Sequence, residues 1–123
     1  MEIDDFNVEV SYSAERVVFA VHGELDMVSR PILQWALDAH PPQAHVVVDC
    51  LGLSFIDSAG LHLIVSNALQ RQESGGSLRM RNCMFPVRQV IDLTGLIYLF
   101  EVDDGAGLPD LGAETDATFA TPR

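Results

Sequence analysis

The first part of the chain has the alternating polar and apolar pattern of a β-hairpin. Phe6, Val8 and Val10 alternate with polar residues, which is typical of a strand with one buried face. Val17–Val21 is continuously apolar and predicts a second strand that is buried on both faces. Residues 13–15 have turn composition, so the two strands are expected to pair with each other.

Further along, short apolar runs predict three more strands. Val46–Cys50 is the third strand, and residues 51–57 are expected to form the loop that follows it. Leu78 and Met80 alternate with arginines and indicate a fourth strand, and Leu99–Val102 indicates a short last one.

Three segments have apolar residues at helical spacing. Ser29 is predicted as the N-cap of the first helix, with Pro31 in its first turn, and Pro41-Pro42 ends it. The second helix is predicted to begin at Ser58 and to end before Gly75-Gly76. The apolar positions that define the three helices are Ile32, Leu33, Trp35, Ala36 and Leu37, then Leu61, Ile64, Val65, Ala68 and Leu69, and finally Val87, Val90, Ile91 and Leu93.

The order of these segments predicts an α/β fold with a mixed sheet. Strands that alternate with helices pair in parallel through right-handed crossovers, and the leading hairpin adds an antiparallel pair. From about Asp103 onward the periodicity ends, and glycines, prolines and scattered acids predict a flexible acidic tail at 105–123. A length of 123 residues fits one folded domain, which we place at 1–104.

The charge of the chain disfavours some classes of partner. The 18 acidic residues oppose 7 arginines, no lysine is present, and the net charge is −11. This field repels nucleic-acid phosphates and anionic membranes, whereas it steers in a partner with a basic surface. Acidity that serves only solubility is an equally good interpretation. No apolar run approaches the ~20 residues that span a bilayer, and the first residues are acidic, so we expect a cytoplasmic protein.

Cysteines and histidines give no metal or cofactor pattern. Cys50 and Cys83 each close an apolar segment outside any C-x-x-C motif, so buried packing is the favoured interpretation and a redox pair the minor one. His40 and His45 flank a Pro-Pro pair but have no third ligand at metal-site spacing. We therefore expect neither a bound metal nor a cofactor.

The most informative position is Ser58, at the junction of the third strand and the second helix. Backbone N–H groups lack intrahelical partners there, and the helix dipole is positive. The hydroxyl can cap the helix, a contact worth about 1 kcal/mol, or carry a phosphate that the helix terminus stabilises. A phosphate would add negative charge beside Asp57 and reject a partner that accepts the unmodified serine.

A third interpretation makes Ser58 a nucleophile, with His62 one helical turn away as its base. Ser58 is preceded by Asp57 and followed by Ala59 and Gly60, so the Gly-x-Ser-x-Gly elbow is absent. With 4 histidines in the chain, one such i+4 pair is unremarkable. A small Ser-His hydrolase is therefore the least favoured function.

A set of motifs in a fixed order resembles the STAS domain family, and specifically its stand-alone bacterial anti-sigma factor antagonists. The resemblance covers residues 6–103. Its motifs are Gly23–Asp26, Val46–Cys50, Phe55–Leu61, Gly75–Leu78 and Val90–Leu96.

The resemblance implies a STAS fold, with a mixed sheet of about four to five strands and helices mainly on one face. It implies that Ser58 is phosphorylated by an anti-sigma factor with a histidine-kinase-like ATPase fold and dephosphorylated by a PP2C-type phosphatase. The unphosphorylated protein would bind the anti-sigma factor and release a sigma factor, without being an enzyme itself. In the family, the aspartate of the Gly-Glu-Leu-Asp motif lies beside the serine and contributes to partner recognition. In this chain that aspartate is Asp26.

The predicted partner-binding surface has one departure from the family pattern. The family commonly has glycine where this chain has His62, which is expected to face outward and to narrow the choice of partner.

A second function within the binding class is a STAS scaffold in a signalling or lipid-transport complex, without a phosphorylation cycle. The predicted contact residues are Asp26, Asp57, Ser58, Ala59, Gly60 and His62.

Overall fold

The structure is a computed structural model and describes residues 6–95, 102–103 and 114–120. Its strands are β1 (Asn7–Ser13), β2 (Arg16–Leu25), β3 (His45–Ile56), β4 (Ser77–Arg81), β5 (Val102–Asp103) and β6 (Glu114–Ala120). Its helices are α1 (Arg30–Asp38), α2 (Ser58–Glu73) and α3 (Val87–Thr94).

The strands within these ranges form one sheet in the order β5-β4-β3-β2-β1-β6. Strands β2 to β5 pair in parallel, whereas β1 is antiparallel to both of its neighbours. The predicted α/β class, the mixed sheet and the leading hairpin are confirmed, with the turn at Ala14 and Glu15. The described part of the sheet has six strands rather than the predicted four to five, because β6 joins one edge.

A single apolar core lies between the sheet and the helices. The helices of the described ranges all contribute to this cluster, so they cover one face of the sheet, as predicted. On β2, Val17, Phe19 and Val21 belong to the cluster, and Val18 is buried on the opposite face, which confirms a strand buried on both faces. The helical residues in the cluster include Leu33, Ala36 and Leu37 from α1, Leu61, Ile64 and Ala68 from α2, and Val87 and Ile91 from α3.

The apolar faces of the helices are narrower than predicted. Trp35, Leu69 and Leu93 are exposed, although the spacing placed them among the buried positions. Trp35 and Leu69 each lie about 100° round the helix from the buried alanine next to them, and Leu93 lies about 160° from Ile91, almost opposite it. None of the helices in the described residues is both long and apolar enough to cross a bilayer.

Strand β3 is longer than the predicted Val46–Cys50 and includes most of the predicted loop at 51–57. It continues to Ile56 because β2 continues to Leu25 and the two backbones stay paired along this length. The register shifts twice on the way, between Ala20 and His22 and between Gly23 and Glu24. Such irregularities break the period-2 alternation, so the hydrophobic pattern does not reveal the extension.

The predicted flexible tail at 105–123 differs from the structure over Glu114–Ala120, which forms β6 against β1. The outer edge of β1 offers unpaired backbone N–H and C=O groups, and a segment rich in threonine is suited to pair with them. The acidic residues of this segment led us to predict a flexible tail, although its threonines favour a β-strand. The predicted last strand at Leu99–Val102 is represented by β5, and its residues 99–101 lie outside the described ranges.

Candidate functional site

The predicted site residues lie at the carboxyl ends of the parallel strands β2 and β3. The connection from β2 to α1 and the first turn of α2 meet at this edge of the sheet. Open parallel sheets commonly form binding sites there, because the loops that leave the strands converge. The structure therefore brings Asp26, which is distant in sequence, to the same end of the sheet as Asp57 and Ser58.

The N-cap of α2 is Asp57, and the prediction that Ser58 caps the helix is wrong. Asp57 has an extended backbone, and its Oδ1 accepts a hydrogen bond of 2.9 Å from the N–H of Gly60. An aspartate caps as well as a serine and adds a negative charge at the positive end of the helix dipole. Ser58 is thereby the first residue inside α2 rather than its cap.

Asp57 also fixes the connection between β2 and α1. Its second oxygen, Oδ2, accepts a hydrogen bond of 3.2 Å from the N–H of Met27. The Asp57 N–H in turn donates to the carbonyl of Leu25 at 3.1 Å. One residue thus caps α2 and holds the 25–27 backbone against its first turn.

Gly60 allows this close approach. A Cβ at position 60 would lie 2.7 Å from Cγ of Leu25 and 2.8 Å from the Leu25 carbonyl oxygen. Both distances are shorter than carbon atoms tolerate, and one of the two neighbours is backbone. The glycine of the motif is therefore required because β2 and α2 touch here, which gives it an indirect part in the site.

Asp26 directs its carboxylate inward to its own loop. Oδ1 accepts hydrogen bonds from the N–H groups of Ser29 at 2.9 Å and Val28 at 3.0 Å. Ser29 stands at the N-cap of α1 as predicted, but its hydroxyl makes no cap bond and donates to the carbonyl of Glu24 at 2.6 Å instead. The Ser29 N–H stabilises the ionised carboxylate and lowers the pKa of Asp26, more than burial raises it. Asp26 therefore organises the loop beside the serine.

The lowered pKa of Asp26 predicts a pH-dependent stability. Because its pKa is lower in the folded than in the unfolded protein, its carboxylate stabilises the fold above the unfolded pKa of about 3.9 and ceases to do so as pH falls through the folded pKa. Denaturant unfolding of wild type and Asp26→Asn should differ most near pH 6 and converge below about pH 4. A difference that is constant from pH 6 to pH 3 would contradict this role.

Ser58 and His62 are exposed, and Ala59 is half-buried. Within the part of the chain that the structure describes, the Ser58 hydroxyl has no hydrogen-bond partner, and none joins it to His62. The described residues thus do not assemble the Ser-His pair that a nucleophile needs. What they present is a free hydroxyl at the positive end of a helix, open to solvent.

Exposed apolar side chains lie on the two segments that lead to the serine, the β2–α1 connection held by Asp57 and the end of β3, and sequence analysis did not predict them. Met27 and Val28 are 74% and 80% exposed, and Phe55, at the end of β3, is 43% exposed. We refer to these three residues as the apolar rim. Exposed apolar groups that cluster beside polar ones mark surfaces that bind other proteins. The sequence did contain a signal for this surface, because Met27 and Val28 lie in a predicted loop, where apolar residues have no core to enter.

Comparison with known protein families identifies the chain. The family model described as "Mlab, STAS domain" matches residues 8–100. The chain belongs to the STAS domain family, and the resemblance found in its motifs is confirmed.

Known relatives of the chain include anti-sigma factor antagonists. The anti-sigma-B factor antagonist of Bacillus subtilis (strain 168) is 28% identical over 99 residues, which cover 80% of this chain and 91% of the relative. An anti-sigma factor antagonist from Mycobacterium paratuberculosis has a crystal structure with a TM-score of 0.65 and 28% identity, covering 81% of this chain and 87% of that one.

A third relative has been solved in two states. The anti-sigma factor antagonist SpoIIAA, in its unphosphorylated form, matches with a TM-score of 0.65 and 21% identity over 77% of this chain and 86% of its own. The phosphorylated form of SpoIIAA, described as a Bacillus cell fate determinant, matches with a TM-score of 0.54 and 21% identity over 77% of this chain and 89% of its own. At this identity the likeness shows a shared fold.

Proposed function

We propose that this protein is an anti-sigma factor antagonist that is switched off by phosphorylation of Ser58. The observation that carries the proposal is the exposed Ser58 hydroxyl, which has no hydrogen-bond partner among the described residues and stands at a helix end that Asp57 already caps. The names of the relatives support the antagonist function, and SpoIIAA supports a phosphorylated state for proteins of this fold. In the unphosphorylated form, the protein binds an anti-sigma factor, and a sigma factor is released.

Asp57 caps α2 and Ser58 does not, so phosphorylation of Ser58 is expected to change binding to a partner rather than folding. The cap hydrogen bond belongs to Asp57, so a phosphate on Ser58 removes no contact that holds α2 in place. The helix dipole stabilises the added charge, which is about −1.5 to −2 at neutral pH. The fold is retained, while the centre of a partly apolar surface becomes strongly negative.

The partner is an anti-sigma factor with a histidine-kinase-like ATPase fold, which also acts as the kinase, and a PP2C-type phosphatase restores the serine. The net charge of −11 favours partners with basic surfaces. His62, exposed one turn after Ser58, contributes to the choice of kinase together with Asp26, Asp57 and Ala59, whereas the buried Gly60 contributes indirectly, by letting β2 approach α2. The protein acts in the cytoplasm by binding and catalyses no reaction itself.

The modification is tested by incubating the protein with ATP and its anti-sigma kinase and mapping the product by mass spectrometry. We expect one phosphate on Ser58 in the wild type and none in Ser58→Ala. Ser66→Ala is the matched control, since Ser66 is also exposed on α2 but lies two turns further along. Phosphorylation that persists in Ser58→Ala would remove the proposed switch.

A further inference from the structure

The two cysteines of the chain lie against each other in the core. Asp49 of β3 and Arg81 of β4 are the last residues in register between these strands, and the Nδ2 of Asn82 donates to Oδ1 of Asp49 at 3.1 Å just beyond them. Cys50 is the next residue of β3 after Asp49, Cys83 lies two residues beyond the end of β4, and both belong to the core cluster. The Cys50 thiol donates to the carbonyl of Val48 at 3.6 Å, and the two thiols are close enough for each to shift the pKa of the other.

The backbone geometry at this position suits a disulfide. Paired strands lie about 4.8 Å apart, and a disulfide joins residues whose Cα atoms are about 4.4–6.8 Å apart. The register ends at the pair Asp49 and Arg81, so Cys50 and Cys83 lie one and two residues beyond that pair, and Asn82 before Cys83 has a left-handed backbone (φ 58°) that turns the chain. Both side chains enter the same core cluster, and the mutual shift of their pKa values agrees with this proximity. A bond between them requires only local movement.

The two thiols differ in character. The neighbouring Cys50 thiol lowers the pKa of Cys83, with the positive charge of Arg88 acting in the same direction and burial opposing both. The neighbouring Cys83 thiol and complete burial raise the pKa of Cys50. Cys83 also retains 6% of its surface, whereas Cys50 has none. Cys83 is thus the thiol that reacts first with a small oxidant, and Cys50 is the thiol that reacts second, with the oxidised Cys83.

We propose that Cys50 and Cys83 form a hydroperoxide-sensitive dithiol that closes to an intramolecular disulfide. The Cys83 thiolate attacks the peroxide, breaks its O–O bond and becomes a sulfenic acid, while the displaced oxygen takes up a proton and leaves as water or an alcohol. Cys50 then attacks the Cys83 sulfur, the S–S bond forms, and the sulfenic oxygen leaves as water with the proton from Cys50. Two thiols are oxidised by two electrons, and one peroxide is reduced.

The disulfide would join the middle of β3 to the connection between β4 and α3. That connection presents Met84 and Phe85 to solvent, 53% and 76% exposed, at the same edge of the sheet as the apolar rim. Fixing it would restrict one part of this edge without touching Ser58. Formation of the disulfide is therefore independent of phosphorylation at Ser58, and the two proposals can be tested separately.

The full-length protein treated with hydrogen peroxide tests the proposal. After denaturation and alkylation, we expect the mass to fall by two hydrogens, both cysteines to resist alkylation until a reductant is added, and peptide mapping to link Cys50 to Cys83. Two freely alkylated cysteines, a sulfinic acid on Cys83 beside a free Cys50, or linkage only between molecules would each overturn it.

Single variants test the order of attack. In Cys50→Ala, Cys83 should stop at the sulfenic acid and be trapped by dimedone, whereas in Cys83→Ala the remaining Cys50 should not react. The reverse pattern would overturn the assignment of Cys83 as the attacking thiol. Circular dichroism shows whether each variant is folded, and the peptide map of the wild type decides the existence of the disulfide without them.

Discussion

Ser58→Glu is expected to weaken binding to the anti-sigma factor by about 100-fold, whereas Ser58→Ala leaves the affinity almost unchanged. A carboxylate that becomes buried in an interface without a partner costs about 3 kcal/mol, which corresponds to that factor in Kd. Alanine removes only a hydroxyl that has no hydrogen-bond partner in the described part of the free protein. Glutamate carries less charge than a phosphate, so the modification itself should have the larger effect.

The affinity of each variant is measured by titration calorimetry with the kinase that phosphorylates the wild type. Ser66→Glu is the matched control, because it adds the same charge to an exposed site about 12 Å further along α2. Its binding should remain within a few-fold of the wild type, since exposed charges at a distance act weakly. Equal binding by wild type and Ser58→Glu would favour a STAS scaffold without a switch, and loss of binding in Ser58→Ala would mean that the hydroxyl itself is recognised.

Local patterns predicted most of the sheet correctly, because burial on one face imposes a period on the sequence. The hairpin of β1 and β2, the order of helices and strands, and the left-handed Gly95 that ends α3 all follow from residues close in sequence. The extension of β3 and the strand β6 depend on backbone pairing with partners far along the chain. Hydrogen-bond pairing of this kind leaves no period in the segment itself, so the sequence could not reveal it.

For the candidate site, the structure corrects one prediction, the cap of α2. The sequence drew attention to Ser58 because it stands between a strand and an apolar helix face, but the choice of cap between it and Asp57 depended on backbone angles. Arg71 was missed altogether, because an arginine within an amphipathic pattern suggests a solvated side chain. It is 3% exposed, and its guanidinium donates to Asn67, to the Leu37 carbonyl and to the Pro41 carbonyl, which ties α2 to the end of α1.

Gly60→Val is expected to lower the free energy of unfolding by about 3 kcal/mol, the upper end of what overpacking costs. The added Cβ would already overlap the side chain and the carbonyl oxygen of Leu25, and the two methyl groups enlarge the overlap. The backbone of Leu25 can give way only by moving with β2 and with the loop that Asp57 holds. Denaturant unfolding measures the loss, and Gly60→Ala should fall between valine and wild type.

Ser66→Val separates this clash from helix propensity, since it places the same β-branched side chain on an exposed position of α2 and should change stability by less than about 0.5 kcal/mol. Hydrogen exchange then locates the damage. The Met27 N–H, which donates to Asp57, should exchange faster in Gly60→Val than in Ser66→Val, because the loop has moved away from the helix. Unchanged protection at Met27 together with normal stability would mean that β2 and α2 are not in contact at Gly60. A faster exchange confined to this loop would show that the glycine of the motif acts by holding the apolar rim beside Ser58.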